Sequence, residues 1–184
     1  MRFREAPASV SSLSPGGEIA CVGIGSNLDG PENQVRKALL ELAAMPRCEL
    51  LAVSNLYRSA PLGGLEQPWY VNAAAVLQTR LTPLALLSAL FEIENQHGRQ
   101  RHGQRWASRT LDLDLLLYGA EHIDQVDLTL PHPGVAERNF VIIPLAEAAS
   151  RARLDIEIPG LGSVHALAAR SPSANLLRIG TGQE

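Results

Sequence analysis

The chain has 184 residues, 46% hydrophobic and 19% charged, and sixteen Lys and Arg against nineteen Asp and Glu leave a formal charge of −3. That is the length of one domain, large enough to bury a core without disulfide staples. The composition excludes a nucleic-acid binder built on excess positive charge, a disulfide framework (the cysteines are Cys21 and Cys48 alone) and a membrane span, since no apolar run approaches ~18 residues. A reducing, cytoplasmic setting is the expectation.

Residues 1–17, rich in Ser, Pro, Ala and Gly, read as a disordered N-terminal tail. Ile19–Gly25 is an apolar run ending in glycine, a buried strand. Pro31 suits the first turn of a helix that Val35, Leu39 and Leu42 carry to Met45, where Pro46 stops it. Glu49–Tyr57 reads as one strand and Ser59–Pro68, with its prolines and glycines, as a loop. Trp69–Arg80 is a further strand. Thr82 is an N-cap with Pro83 behind it, Leu86, Leu90 and Ile93 mark that helix's buried face, and Gly98 closes it. Leu111–Tyr118 is the clearest strand. An apolar helix is expected near Val141–Ala149. Residues 151–184 read as a C-terminal appendage, packed on or trailing from the same domain, with a short helix near Ser163–Arg170, leaving 18–150 as the working domain.

Strand, helix, strand, strand, helix, strand is the βαββαβ order of a ferredoxin-like α+β sandwich, an antiparallel sheet with helices packed on its faces. Such sheets serve many functions, so the chemistry has to come from side chains. Three clusters carry it. Asp112 and Asp114 share a strand face while Leu111, Leu113 and Leu115 face the core. Two acids about 6.7 Å apart along a strand suit divalent cations; a solvated strand face is the plainer alternative. Arg99, Arg101, Arg105 and Arg109 crowd the residues before that strand, interleaved with His97, His102 and Trp106. Arginine forks grip phosphate, so acids and arginines together describe a polyphosphate site, or else a basic loop that binds RNA backbone. Walker and kinase signatures are absent from the sequence. Tyr70 and Asn72 share a face of one strand and Phe140 follows Arg138-Asn139: rings to stack a heterocycle and an amide to read its edge, or ordinary core.

Arg105-Trp106-Ala107-Ser108-Arg109-Thr110-Leu111-Asp112-Leu113-Asp114 closely resembles the signature of the 6-hydroxymethyl-7,8-dihydropterin pyrophosphokinases of folate biosynthesis. Gly25-Ser26-Asn27-Leu28, Tyr57-Arg58 with Pro61-Leu62-Gly63, Tyr70-Val71-Asn72-Ala73, Pro131-His132 and Arg138-Asn139-Phe140 support it, over about residues 19–150. The resemblance implies pyrophosphoryl transfer from ATP to the pterin's hydroxymethyl group, with Asp112 and Asp114 holding two Mg²⁺. It implies that Arg99 and Arg109 grip the transferring phosphates, assisted by Arg101 and Arg138. Glu94, Trp106, Leu115, Thr129 and His132 would complete the ATP side. Tyr70 and Phe140 would sandwich the pterin, with Ser59, Ala60, Leu62 and Asn72 at its edge. Loops 60–69 and 99–109 would close over both substrates. Small molecules are then the partners, with no nucleic acid or membrane, and the chain is expected to be monomeric. Three positions depart from the family pattern: Ala60 for a proline, Pro133 for an aromatic and His102 for a lysine. A non-catalytic or altered-specificity paralogue that binds pterin or nucleotide, and an RNA-binding module, remain alternatives.

Overall fold

The computed structural model describes residues 16–61, 67–98 and 109–180. Its elements in chain order are β1 (Glu18–Ser26), α1 (Pro31–Ala44), β2 (Cys48–Val53), β3 (Tyr57–Ser59), β4 (Tyr70–Thr79), α2 (Pro83–Gln96) and β5 (Asp112–Tyr118), then β6 (Ile123–Asp124), β7 (Thr129–Leu130), α3 (Asn139–Ala152), β8 (Glu157–Ile158), β9 (Gly162–Ser163), α4 (Val164–Arg170) and β10 (Leu176–Arg178). The main sheet runs β10-β3-β4-β1-β5, with β2 also paired to β4, and every pairing in it is antiparallel. With β2 and β3 taken as halves of one strand, this is the ferredoxin-like order expected from the sequence.

Local chemistry starts and stops the helices as the sequence suggests. Gly30, at φ 74°, turns the chain so that Pro31 can open α1, where its missing N–H is not needed. The Thr82 hydroxyl accepts from the Ala85 N–H at 3.4 Å and caps α2. Gly98, at φ 72°, follows α2's end.

Alternation along the strands then divides the core in two. Ala20, Val22 and Ile24 of β1, Val71, Ala73, Ala75 and Leu77 of β4 and Leu113 and Leu115 of β5 face α1 and α2. Cys21, Ala74, Val76, Leu116 and Leu117 face α3 and α4. Each fully buried leucine in these layers contributes roughly 1.5–3 kcal/mol. A bulge makes the second face possible on β5: Cys21 opposes Leu117 and Val22 opposes Leu115, so Leu116 is the extra residue.

One expectation needs correction. The single strand over 49–57 is two strands. At the break, Ser54 holds β4 through both its N–H and its Oγ, each 2.9 Å from Ala74 backbone atoms. Glu147 of α3 then accepts from the Asn55 N–H and the Tyr57 hydroxyl, both at 2.9 Å. The chain is thus drawn off the ladder toward α3. Within the C-terminal appendage, Leu176–Arg178 packs on the domain as a strand of the main sheet. Among the described residues no helix is long and apolar enough to cross a membrane.

Candidate functional site

The site lies on the α3 face of the sheet, where α3 leaves the strand ends uncovered. On that face β1 carries Cys21, Gly23 and Gly25, a stretch without bulk beyond the cysteine. Gly25 sits opposite Asn72 of β4 on one side and Asp112 of β5 on the other. A Cβ at Gly25 would stand 3.6 Å from Asn72 Oδ1 and 3.9 Å from Asp112 Cβ. Glycine therefore makes the floor of a cavity of about 300 Å³ whose walls are those two functional strands. That volume is at the lower end of the ~300–1,000 Å³ usual for small-molecule sites. Ser59, Ala60, Gln67 and Tyr70 form one side, Arg109, Asp112 and Asp114 the other, and His132, Arg138 and Phe140 close it.

One side brings two aromatic side chains together with a buried amide. The Asn72 carboxamide nitrogen donates to Ser59 Oγ at 2.9 Å. This diagonal cross-strand bond fixes the amide's orientation, and both residues are buried. Burial pushes the Tyr70 phenol up, with Arg109 opposing and Asp112 adding, so it is a neutral aromatic. Tyr70 comes from β4 and Phe140 from the first turn of α3.

The other side is a charge cluster. Arg109 donates through a guanidinium nitrogen to Asp112 Oδ2, an i,i+3 pair. Burial works against the Arg109 charge, but Asp112 and then Asp114 outweigh it, so its pKa is raised. Asp114 is different. Burial first, and then Asp112, push its carboxyl above the usual range, with His132, Arg138 and Arg109 only partly offsetting. A carboxylate pair whose second charge is disfavoured is a donor set that a hard divalent cation relieves. Mg²⁺ takes such oxygens together with those of phosphates, so the residues present fit it.

Residues behind these groups hold them in place; of these the sequence alone gives His132 and Arg138 a role, and Asn27, Gly134, Gln67 and the floor glycines none. Asn27, buried, accepts the Arg109 N–H on Oδ1 at 2.8 Å and gives its own N–H to the Arg109 carbonyl at 3.1 Å. Its side-chain nitrogen donates to the Pro68 carbonyl at 3.3 Å, so one residue ties both flanks of the cavity. His132 accepts the Gly134 N–H on Nδ1 at 3.1 Å, which leaves Nε2 to carry the ring proton of the neutral imidazole. Gly134 has no side chain because the Arg138 guanidinium lies over it, 2.6 Å from where a Cβ would stand. Gln67 and the floor glycines Gly23 and Gly25 line the cavity as well. The period-two spacing of the glycines was visible, but their face is defined only once β1 pairs with β5.

The structure brings together Ser59, Ala60, Tyr70, Asn72, Arg109, Asp112, Asp114, His132, Arg138 and Phe140. Three expected ATP-side residues lie elsewhere. Glu94 is fully buried between α2 and β5, where Oε1 accepts the Leu113 N–H at 2.7 Å, because β5 turns that N–H toward α2. The Leu115 side chain belongs to the core under α1 and α2, on the face opposite the acids. Thr129 is exposed on β7, paired with Asp124. None of the three lines the cavity. Leu62, Arg99, Arg101 and Trp106 lie outside the described residues.

Fold and site define a class: a ferredoxin-like α+β sandwich whose cavity has aromatic and amide side chains on one side and an acid-and-arginine cluster on the other. Residues 21–150 match the family model described as 7,8-dihydro-6-hydroxymethylpterin-pyrophosphokinase (HPPK). A Haemophilus influenzae 2-amino-4-hydroxy-6-hydroxymethyldihydropteridine pyrophosphokinase is 48% identical over 131 residues, covering 71% of this chain and 81% of that protein. Proteins of the same name from Pseudomonas aeruginosa (47%, covering 72% and 82%) and Methylorubrum extorquens (40%, covering 84% and 94%) are also similar. The chain belongs to the 7,8-dihydro-6-hydroxymethylpterin pyrophosphokinase family. Among solved structures, Plasmodium falciparum HPPK-DHPS wild type with pteroate superposes with a TM-score of 0.64 at 13% identity, covering 86% of this chain and 43% of that one. The chain thus spans less than half the length of that protein, and the likeness concerns the fold.

Proposed function

We infer that this chain transfers pyrophosphate from ATP to the hydroxymethyl group of 6-hydroxymethyl-7,8-dihydropterin, giving AMP and the pterin diphosphate for folate biosynthesis. One observation carries the reading: Gly25 is opposite Asn72 on one side and Asp112 on the other. A ring-edge reader and a phosphate-side acid are thereby two strand spacings apart, about 9.6 Å, across a floor with no side chain in the way. A bicyclic ring held at Asn72 and Ser59 and stacked between Tyr70 and Phe140 presents a substituent toward Asp112.

In the reaction the hydroxymethyl oxygen forms a bond to the β-phosphorus of ATP. The bond between that phosphorus and the α–β bridging oxygen breaks, AMP leaves with the electron pair, and the hydroxyl proton is lost. Asp112 and Asp114 would hold two Mg²⁺, which supply charge neutralisation on the phosphates and acidify the hydroxyl. Arg109, fixed by Asn27 and Asp112, aims its remaining donors at the phosphates, and Arg138 and the His132 Nε2–H reach the same space. Charge placement and alignment do most of the work in such transfers. The acids share their sheet face with Tyr70, an arrangement that repels an RNA backbone. The chain is further proposed to act as a monomer in the cytoplasm, where ATP is supplied.

The test is steady-state turnover with ATP, Mg²⁺ and the pterin. Asp112→Ala is expected to lose at least ~10³ in rate, about 4 kcal/mol of transition-state stabilisation. Turnover near the parent rate would contradict the assignment, and binding of both substrates by the parent without turnover would indicate the non-catalytic paralogue.

A further inference from the structure

The chain beyond α4 contacts the site from behind. Residues 172–175 pass the start of α3, and β10 then joins the sheet. Asn139, the first residue of α3, donates its side-chain nitrogen to the Pro172 carbonyl at 2.9 Å and to the Ala174 carbonyl at 3.1 Å. Both N–H groups of the amide are thereby used. Asn175 adopts φ 60° and the Leu176 N–H bonds the Ser173 carbonyl at 3.1 Å, a turn that delivers β10 to the sheet. There Leu176 opposes Ser59 and Arg178 opposes Tyr57, and the Ile179 N–H continues the register to the Leu56 carbonyl at 2.8 Å.

Both anchor points lie beside the ring side of the cavity. Asn139 stands between Arg138 and Phe140, and β10 pairs with the strand that carries Ser59 and leads into Ala60. β3 is three residues long and would be an outer strand if β10 did not cover it. Residues 172–179 also lie beyond the stretch that matches the family model.

We propose that residues 172–179 form a strap that fixes the separation of the Phe140 and Ser59 walls, with Asn139 as the positioning residue through which it acts on pterin binding. This rests on the assignment of that side of the cavity to the pterin. The acids and His132 sit toward β5, at the other end of the strand order from β10. Loosening the strap therefore affects the pterin before ATP.

Two variants of the full chain test it. Asn139→Asp keeps the size and suits a helix N-terminus, but it donates nothing and repels both carbonyls. It is expected to raise the KM for pterin about tenfold, a change on the scale of one hydrogen bond, with the KM for ATP within about twofold. Asn139→Gln, which retains the amide donor, recovers most of the loss. Because coupling is reciprocal, pterin binding to the parent protein slows amide exchange at Leu176–Ile179. This measurement decides the matter even if Asn139→Asp folds poorly. An unchanged pterin KM in folded Asn139→Asp, equal losses for both substrates, or exchange at Leu176–Ile179 indifferent to pterin would overturn the strap. A parent protein that forms no pterin diphosphate would instead overturn the functional reading, and the strap's role with it.

Discussion

Asp114→Asn is expected to do two opposite things. The amide keeps the volume of the side chain and removes its charge. In the metal-free protein Asp114 is half-buried next to Asp112, and its negative charge is disfavoured by burial and by that neighbour. Two carboxylates about 6.7 Å apart repel by ~2.5 kcal/mol at an effective dielectric of ~20 and by ~0.6 kcal/mol in bulk water. Arg109, bonded to Asp112, and Arg138 offset part of this. A net relief of about 1 kcal/mol raises Tm by roughly 2–4 °C for a chain of this length. With Mg²⁺ and α,β-methylene-ATP the order reverses. The parent gains the stabilisation that comes from binding a ligand in the native state, and the variant gains little. Turnover falls by at least ~10³. Thermal melts with and without the metal–nucleotide pair, alongside an AMP-release assay, read both effects. A variant less stable than the parent without metal, or one turning over within about tenfold of it, would refute the reasoning.

Other substitutions separate the groups that touch substrate from those that support them. Because its native pKa is raised, Asp114 adds metal-free stability at low pH that is lost as pH rises from 3.8 through the raised native value. Activity runs the other way and falls as pH drops through that window, since the metal requires the carboxylate. Melts and rates across the range check both signs, and Asp114→Asn flattens the stability profile. Gly134→Ala would place a Cβ 2.6 Å from Arg138 Nε and so displaces the guanidinium; the KM for ATP is expected to rise about tenfold, ~1.4 kcal/mol, with the pterin KM little changed. Glu94→Ala strands the Leu113 N–H in the core and costs about 1–3 kcal/mol, lowering Tm. Activity per folded molecule stays near the parent's, because Glu94 does not reach the cavity.

The legible parts of this chain were those written in local pattern. Pro31, Thr82 and Gly98 mark helix ends whatever lies around them, and Leu111–Leu115 alternates strictly enough to put Asp112 and Asp114 on one face. The rest depended on contacts between distant segments. Ser54–Leu56 reads as strand, and it leaves the ladder because Glu147, on a helix some ninety residues later, takes the Asn55 N–H and the Tyr57 hydroxyl. Leu176–Arg178 is too short to announce itself and becomes a strand only by pairing with β3. The family resemblance alone put Glu94 on the ATP side, and only the packing of α2 against β5 shows its carboxylate accepting the Leu113 N–H. Gly23 and Gly25 carried no signal as a cavity floor until β1 was set between β4 and β5.

Product analysis tests the central claim most directly. The protein is incubated with ATP, Mg²⁺ and 6-hydroxymethyl-7,8-dihydropterin, and the nucleotides are resolved by chromatography. AMP in equal amount to pterin diphosphate is the expected result. ADP with a pterin monophosphate would contradict pyrophosphoryl transfer, and no nucleotide product at all would contradict catalysis at this site.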